Sequence, residues 1–213
     1  MIKIFLVDDH PIVRAGVIKA LSSDPDISVI AEASNARQAM DLLGEIAPDI
    51  VILDITLTDD SGLRVLEKIR QQYPALPVLM LSMHPEEQYA MMSLKLGASG
   101  YLTKKTLPDE LILAIKKIVT RGKYITETLS EKLADAVNVN IENPPHESLA
   151  FREFQVMLMM ASGAAPKEIA ENLGLNVKTV NTYRANIMLK MNLLSNADIV
   201  RYAVKHNLIN QDE

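Results

Sequence analysis

Asp49-Ile50-Val51-Ile52-Leu53-Asp54 is the stretch whose reading decides the first half of the chain. Four consecutive apolar residues, three of them β-branched, lie between acids, which suits a short strand buried on both faces. In an open parallel sheet the C-terminal tips of such strands form the ligand-carrying edge, so Asp54 is placed there. Working outward, further strand-like runs lie at Ile2–Val7, Ile27–Ala33, Pro77–Ser82 and Gly100–Lys104. Stretches of helical period separate or follow them, at Pro11–Ser22, Ala36–Ile46, Gly62–Tyr73, Glu86–Leu96 and Pro108–Thr120. Regular alternation of this kind predicts a doubly wound α/β unit with a parallel five-stranded sheet. Pro11 and Pro108 stand where a first helical turn tolerates proline.

The strand tips carry the chemistry. Asp8 and Asp9 follow the first strand, Asp54 the third, Ser82 the fourth and Lys104 the fifth, all on one rim. Three carboxylates brought that close stay ionised together only around a cation. An all-oxygen, partly open ligand set suits Mg²⁺, commonly completed by a phosphate. An acid pair in a loop is by itself usually only solvated. It is the agreement of Asp8, Asp9, Asp54, Ser82 and Lys104 that makes a site. His10 and His84 read as loop residues, His84 with a possible part in access to Asp54.

Composition sets the outer bounds. The 213 residues are 48% hydrophobic and 23% charged, as in ordinary globular proteins, and the length permits two domains. No cysteine is present, which excludes disulfides and thiolate metal sites and fits a reducing cytoplasm. Neither a signal segment nor a membrane-length apolar run is visible, so a cytoplasmic protein without a membrane partner is expected. A formal charge of −5 excludes a strongly basic nucleic-acid coat but leaves room for a local one.

Val7-Asp8-Asp9-His10, the Leu53-Asp54, Leu81-Ser82 pairs and Gly100-Tyr101-Leu102-Thr103-Lys104 together resemble the receiver domain of bacterial response regulators over residues 1–122. The resemblance implies a flavodoxin-like, CheY-like fold with strand order 2-1-3-4-5. It makes Asp54 the phospho-acceptor and Asp8, Asp9, Asp54 and the Thr56 carbonyl the Mg²⁺ set. Ser82 and Lys104 become phosphate-binding groups, and Tyr101 a switch that follows Ser82 inward. Two departures stand out. Thr58 replaces a frequent proline, and Asp59-Asp60 make the loop Thr56–Ser61 unusually acidic, which is expected to disturb donor docking or dephosphorylation.

After Gly122 the strands stop. Thr126–Val137 has helical spacing, Asn138–Ser148 is an Asn-rich linker whose Pro144-Pro145 pair favours an extended chain, and residues 123–147 together read as linker with a helix. From 148 to 213 the period is helical throughout, in segments Phe151–Ala161, Pro166–Leu173, Val177–Met191 and Ala197–His206. Pro166–Leu173, the turn Gly174-Leu175-Asn176 and the helix from Val177 form a helix-turn-helix, with Asn176 as N-cap. Val177, Val180, Tyr183, Ile187 and Met191 share the inward face. Lys178, Thr179, Asn181, Thr182, Arg184, Ala185, Asn186 and Lys190 point outward with three positive charges and no acid, a face able to meet phosphates and base edges.

This half resembles the LuxR-type helix-turn-helix, through Leu149, Arg152-Glu153, Val156, Gly163, Lys167-Glu168-Ile169-Ala170, Leu173, Lys178-Thr179-Val180, Asn186-Ile187 and Lys190. It departs at Ala150, where a Ser or Thr cap is usual, at Gln155, and at Asn181-Thr182-Tyr183, which is similar to the GacA/UvrY-like branch. The two resemblances together imply a two-component regulator of the NarL/FixJ type. Its partners would be a sensor histidine kinase, double-stranded DNA and, when phosphorylated, a second copy of itself. The rival reading is an aspartyl-phosphate phosphotransferase or phosphatase of the haloacid-dehalogenase kind, which wants an acid two residues past the nucleophile, where this chain has Thr56. A third reading is a DNA-binding regulator independent of phosphorylation.

Overall fold

The computed structural model describes residues 1–83, 86–106, 108–127, 129–131 and 144–209, and falls into two compact units, Met1–Leu133 and Ala134–Glu213. The first is a five-stranded sheet of β1 (Ile2–Val7), β2 (Ile27–Ala33), β3 (Ile50–Leu53), β4 (Val78–Ser82) and β5 (Gly100–Thr103). All neighbours are parallel and the order is β2-β1-β3-β4-β5, as expected. Helices α1 (Pro11–Leu21), α2 (Ala36–Leu43), α3 (Gly62–Gln72), α4 (Glu86–Lys95) and α5 (Pro108–Arg121) connect and follow the strands.

The four residues of β3 are entirely buried, which is why their run is continuously apolar. Ile4, Leu6, Ile50, Ile52, Leu79, Leu81 and Leu102 form one core with α1 and α5. The alternate residues Phe5, Val7, Val51, Leu53, Met80 and Tyr101 are equally buried and face the other side of the sheet. That face packs under the apolar sides of α2, α3 and α4. Burial on both faces fixes the register, because a one-residue slip would exchange the two cores.

The chain does not leave this unit at Gly122. Gly122 has φ +84°, and Tyr124 then folds back so that its amide donates to Ser99 O at 2.8 Å. Its ring packs on the α1/α5 core, and Leu129 is buried as well. The expected helix over Thr126–Val137 has helical backbone at Glu127 and Leu129–Glu131, with Thr126 outside the helix; Thr128 and residues 132–137, like Asn138–Asn143 and His84, lie outside the described residues.

The second unit contains α6 (Phe151–Ala161), α7 (Pro166–Asn172), α8 (Val177–Met191) and α9 (Asn196–Lys205). Phe154, Val156, Met157, Ile169, Val180, Ile187, Ile199 and Ala203 fill its core. Before α6 the expectation of extended chain fails at Pro145–Ser148, which is a 3-10 turn. Ser148 Oγ donates to Pro145 O, and His146 Nδ1 lies 2.7 Å from the Tyr202 hydroxyl, so side chains supply what the proline pair does not. Among the described residues no helix is long and apolar enough to cross a membrane.

Candidate functional site

The register of the sheet assembles the first site. Val7 pairs with Leu53 and Ser82 with Thr103, so the residues just beyond these strand ends share one rim. The amide of Asp54 donates to Val7 O at 2.9 Å and that of Lys104 to Ser82 O at 2.7 Å. Asp8 is 1% and Asp54 3% exposed. Lys104, whose side chain is also 3% exposed, places Nζ 2.6 Å from Asp8 Oδ2 and 2.6 Å from Asp54 Oδ2. One ammonium thus serves two buried carboxylates. Burial first, and then the charge of Asp8, push the Asp54 carboxyl up against the pull of Lys104, to about 6.

Asp9 adds a third acid. Its Oδ1 is buried and accepts no hydrogen bond among the described residues, although His10 Nδ1 lies 2.6 Å away. Ligand atoms of Asp8, Asp9, His10 and Asp54 all fall within 4.8 Å of one another. A buried carboxylate oxygen that meets the His10 ring but accepts no hydrogen bond, in a pocket with more acids than bases, fits a divalent cation. The Thr56 amide reaches Asp54 Oδ1 at 3.4 Å, and Thr56 also bridges to Ser61 across the loop. Ser82 and Tyr101 are fully buried and, by strand alternation, lie on the same sheet face.

Several parts of this site escaped the sequence reading. His10, taken as a loop residue, joins the acid cluster while its amide donates to Asp8 Oδ1 at 2.8 Å. Arg14 Nη1 donates to the backbone carbonyl of Asp8 at 2.7 Å and so pins the main chain at that strand tip. Gly62 is required by closeness: a Cβ there would lie 1.8 Å from Asp54 O. The Ser61-Gly62 pair at the start of α3 was the only signal of it. The acidic loop also differs from expectation. Asp59 accepts from Ala36 N and Arg37 N at the start of α2, and Asp60 lies 3.6 Å from both Arg64 Nη1 and Lys68 Nζ. Both charges are answered locally, so the field they exert on Asp54 is smaller than a count of acids suggests.

The second unit presents α8 with Asn176 as its N-cap, Oδ1 accepting from Thr179 N at 2.8 Å. Val180, Ile187 and Met191 are buried and Tyr183 half-buried, but Val177 is 41% exposed, because the first turn of α8 projects beyond the core. Lys178, Asn181, Thr182 and Ala185 are exposed, and Thr179 is half-buried beneath its cap. Arg184 Nε donates to Asn196 Oδ1 at 2.9 Å. Lys190 and Asn186 turn elsewhere: Lys190 Nζ lies 2.6 Å from Glu153 Oε2, and Asn186 also hydrogen-bonds that carboxylate. Of the outward face sorted by sequence, Lys178, Asn181, Thr182, Ala185 and Lys190 are exposed and Thr179, Arg184 and Asn186 half-buried, with Arg184 and Lys190 already engaged by Asn196 and Glu153.

Comparison with known proteins decides the family. The family described as "Response regulator receiver domain" matches residues 4–116, and that described as "Bacterial regulatory proteins, luxR family" matches residues 147–203. The chain belongs to the response regulators. Response regulator UvrY of Escherichia coli K12 is 33% identical over 213 residues, spanning 100% of this regulator and 98% of the relative. The crystal structure of a two-component response regulator of the LuxR family from Aurantimonas sp. SI85-9A1 is 37% identical, covers 64% of the regulator and 98% of that chain, and has TM-score 0.59. RcsB of Salmonella enterica serovar Typhimurium, solved bound to promoter rprA with the phosphomimetic BeF3−, is 21% identical over 96% of the regulator and 99% of that chain. Its TM-score of 0.65 makes this a likeness of fold.

Within the family the regulator's departure at Ala150 has a structural answer. Ala150 has no oxygen with which to cap α6, but its own amide donates to Glu153 Oε2 at 2.8 Å, half of a capping box. Burial pushes the Glu153 carboxyl up, while Lys190, the Ala150 amide and Asn186 together outweigh it and hold it below the usual carboxylate range. Glu153 is thus a tie between α6 and α8 that the sequence reading passed over.

Proposed function

We propose that the regulator takes a phosphoryl group on Asp54 from a sensor histidine kinase, and that this controls self-association and sequence-specific DNA binding through α8. The observation that carries the reading is Lys104 Nζ at 2.6 Å from both Asp8 and Asp54, beside a third acid, Asp9, whose buried Oδ1 faces the His10 ring. This is an acid cluster with too little positive charge of its own. Asp8, Asp9, Asp54 and the Thr56 carbonyl would hold Mg²⁺. Bound there, the ion neutralises the excess charge and that of the incoming phosphoryl group.

In transfer an Asp54 carboxylate oxygen attacks phosphorus, the P–O bond of a small donor or the P–N bond of a phosphohistidine breaks, and an acyl phosphate results. Lys104 follows the new negative charge from carboxylate to phosphate, and the Ser82 hydroxyl donates to a phosphate oxygen. Tyr101, already inward on the Ser82 side of β5, is held there once Ser82 is engaged. Changed packing of α4, β5 and α5 then biases pairing of two chains. One helix-turn-helix reads one half-site, so a dimer on a repeated site gives useful affinity. RcsB, alike in fold, is a DNA-bound precedent for the architecture.

An enzymatic role on external substrates is disfavoured by Thr56, which offers no carboxyl to shuttle a proton two residues past Asp54. The absence of a membrane-length helix among the described residues and of cysteine is consistent with a cytoplasmic regulator. Incubation with Mg²⁺ and acetyl phosphate, followed by intact mass and gel shift, tests the reading. A single phosphate adduct that Asp54→Asn lacks, with tighter DNA binding, is expected. Repeated turnover of a phosphate ester, or DNA binding indifferent to the adduct, overturns it.

A further inference from the structure

We propose that Asp59 is a positioning residue for the acceptor loop, clamping it to the first turn of α2 so that the Thr56 carbonyl stays poised for the metal; the claim rests on the reading of Asp54 given above. The clamp is bidentate. Asp59 Oδ1 accepts from Ala36 N at 2.7 Å and Oδ2 from Arg37 N at 3.1 Å, while Asn35 Oδ1 takes Gln38 N at 2.9 Å. The first three amides of α2 are thereby all satisfied, two of them by a residue 22 and 23 positions away in sequence. A helix start favours a carboxylate both through these amides and through its partial positive charge.

The loop so held begins at the acceptor. Asp54 and Ile55 are locked by burial and by Gly62 N donating to Ile55 O at 2.7 Å, and Thr56 pairs with Ser61. Between Thr56 and the buried Ser61, Leu57 is buried while Thr58 and Asp59 are exposed. No proline stiffens this part of the chain. Asp59 therefore supplies the restraint, from α2, while Asp60 ties the other side of the loop to α3 through Arg64 and Lys68. Burial works to raise the Asp59 carboxyl, yet the Ala36 and Arg37 amides and the Arg37 charge hold it below the usual carboxylate range, so it remains an acceptor at neutral pH.

The full chain, Asp59→Ala and Asp59→Asn are compared by three measurements: thermal melting, Mg²⁺ affinity by calorimetry, and the rate of adduct formation with acetyl phosphate by intact mass. Loss of a capping acceptor is expected to weaken Mg²⁺ binding and slow adduct formation about fivefold each in Asp59→Ala. Asp59→Asn keeps one acceptor oxygen but turns its NH2 toward the other α2 amide, so it is expected between the two, about two- to threefold below the native chain. Ala equal to native in both readouts, with only the melting point lowered, overturns the proposal. Native chain that forms no adduct, with Mg²⁺ affinity still falling in Asp59→Ala, removes the phosphorylation reading and leaves the clamp standing.

Discussion

Each unit of the regulator holds a lysine 2.6 Å from a buried carboxylate, and the two pairs are built for different ends. Glu153 meets one lysine, one backbone amide and one side-chain amide, and its acidity is strengthened. Asp54 shares its lysine with Asp8 beside a third acid, and its acidity is weakened. Equal distances thus conceal opposite electrostatic balances. A satisfied pair ties two helices together, whereas an under-neutralised cluster stores a demand for charge that a cation and a phosphate can meet. Pair length alone says little about function; the ratio of acids to donors says more.

The largest expected break of this contrast is Asp54→Asn. It abolishes the phosphate adduct, with a residual rate below about one hundredth of native, while the protein remains folded; intact mass after acetyl phosphate checks it. Glu153→Gln should leave the adduct untouched.

The next effect is in pH. Asp54 has a folded value about 6 against about 4 unfolded, so between those values the folded state binds more protons. Without divalent cation, the first unit should therefore lose stability as pH rises from about 4 to about 6, by roughly 3 kcal/mol. Hydrogen exchange or denaturant melts of the two units would follow this, and Asp54→Asn or saturating Mg²⁺ should flatten it. Glu153 carries the opposite sign. Its depressed value contributes stability at pH above about 4.3 that is lost as pH falls through the folded value.

A smaller effect follows from Glu153→Ala, which removes the acceptor of Lys190 and of the Ala150 amide. A loss of about 2 kcal/mol in the second unit is expected from an unmade cap and a broken charged hydrogen bond, read from its melt. Smallest is the DNA test. Lys178→Ala should lower the salt slope of binding by about 1, and Lys190→Ala should leave that slope unchanged because its charge is spent on Glu153. Equal slopes for the two variants would erase the distinction between a reading face and a structural tie.

Much of this architecture was legible in the chain. The apolar run of Ile50–Leu53 and its four counterparts predicted the parallel sheet because burial on both faces leaves no room for alternation. Acids and a lysine at strand tips predicted the site because parallel strands bring all C-terminal ends to one edge. Val177 was misread as core because helical spacing gives a residue's direction but not where the core ends. The contacts of Asp59 were not legible because the donors that answer it lie on α2, more than twenty residues earlier.

What the sequence by itself determined was therefore periodic and local: the order of strands and helices, the cap at Asn176, and which residue types reach the functional rim. Only the tertiary structure decided how charge is apportioned. Lys104 between Asp8 and Asp54, Lys190 on Glu153, and Asp59 on the start of α2 are all contacts across tens of residues. A carboxylate's role depends on how many donors surround it in space, and sequence separation carries no such count.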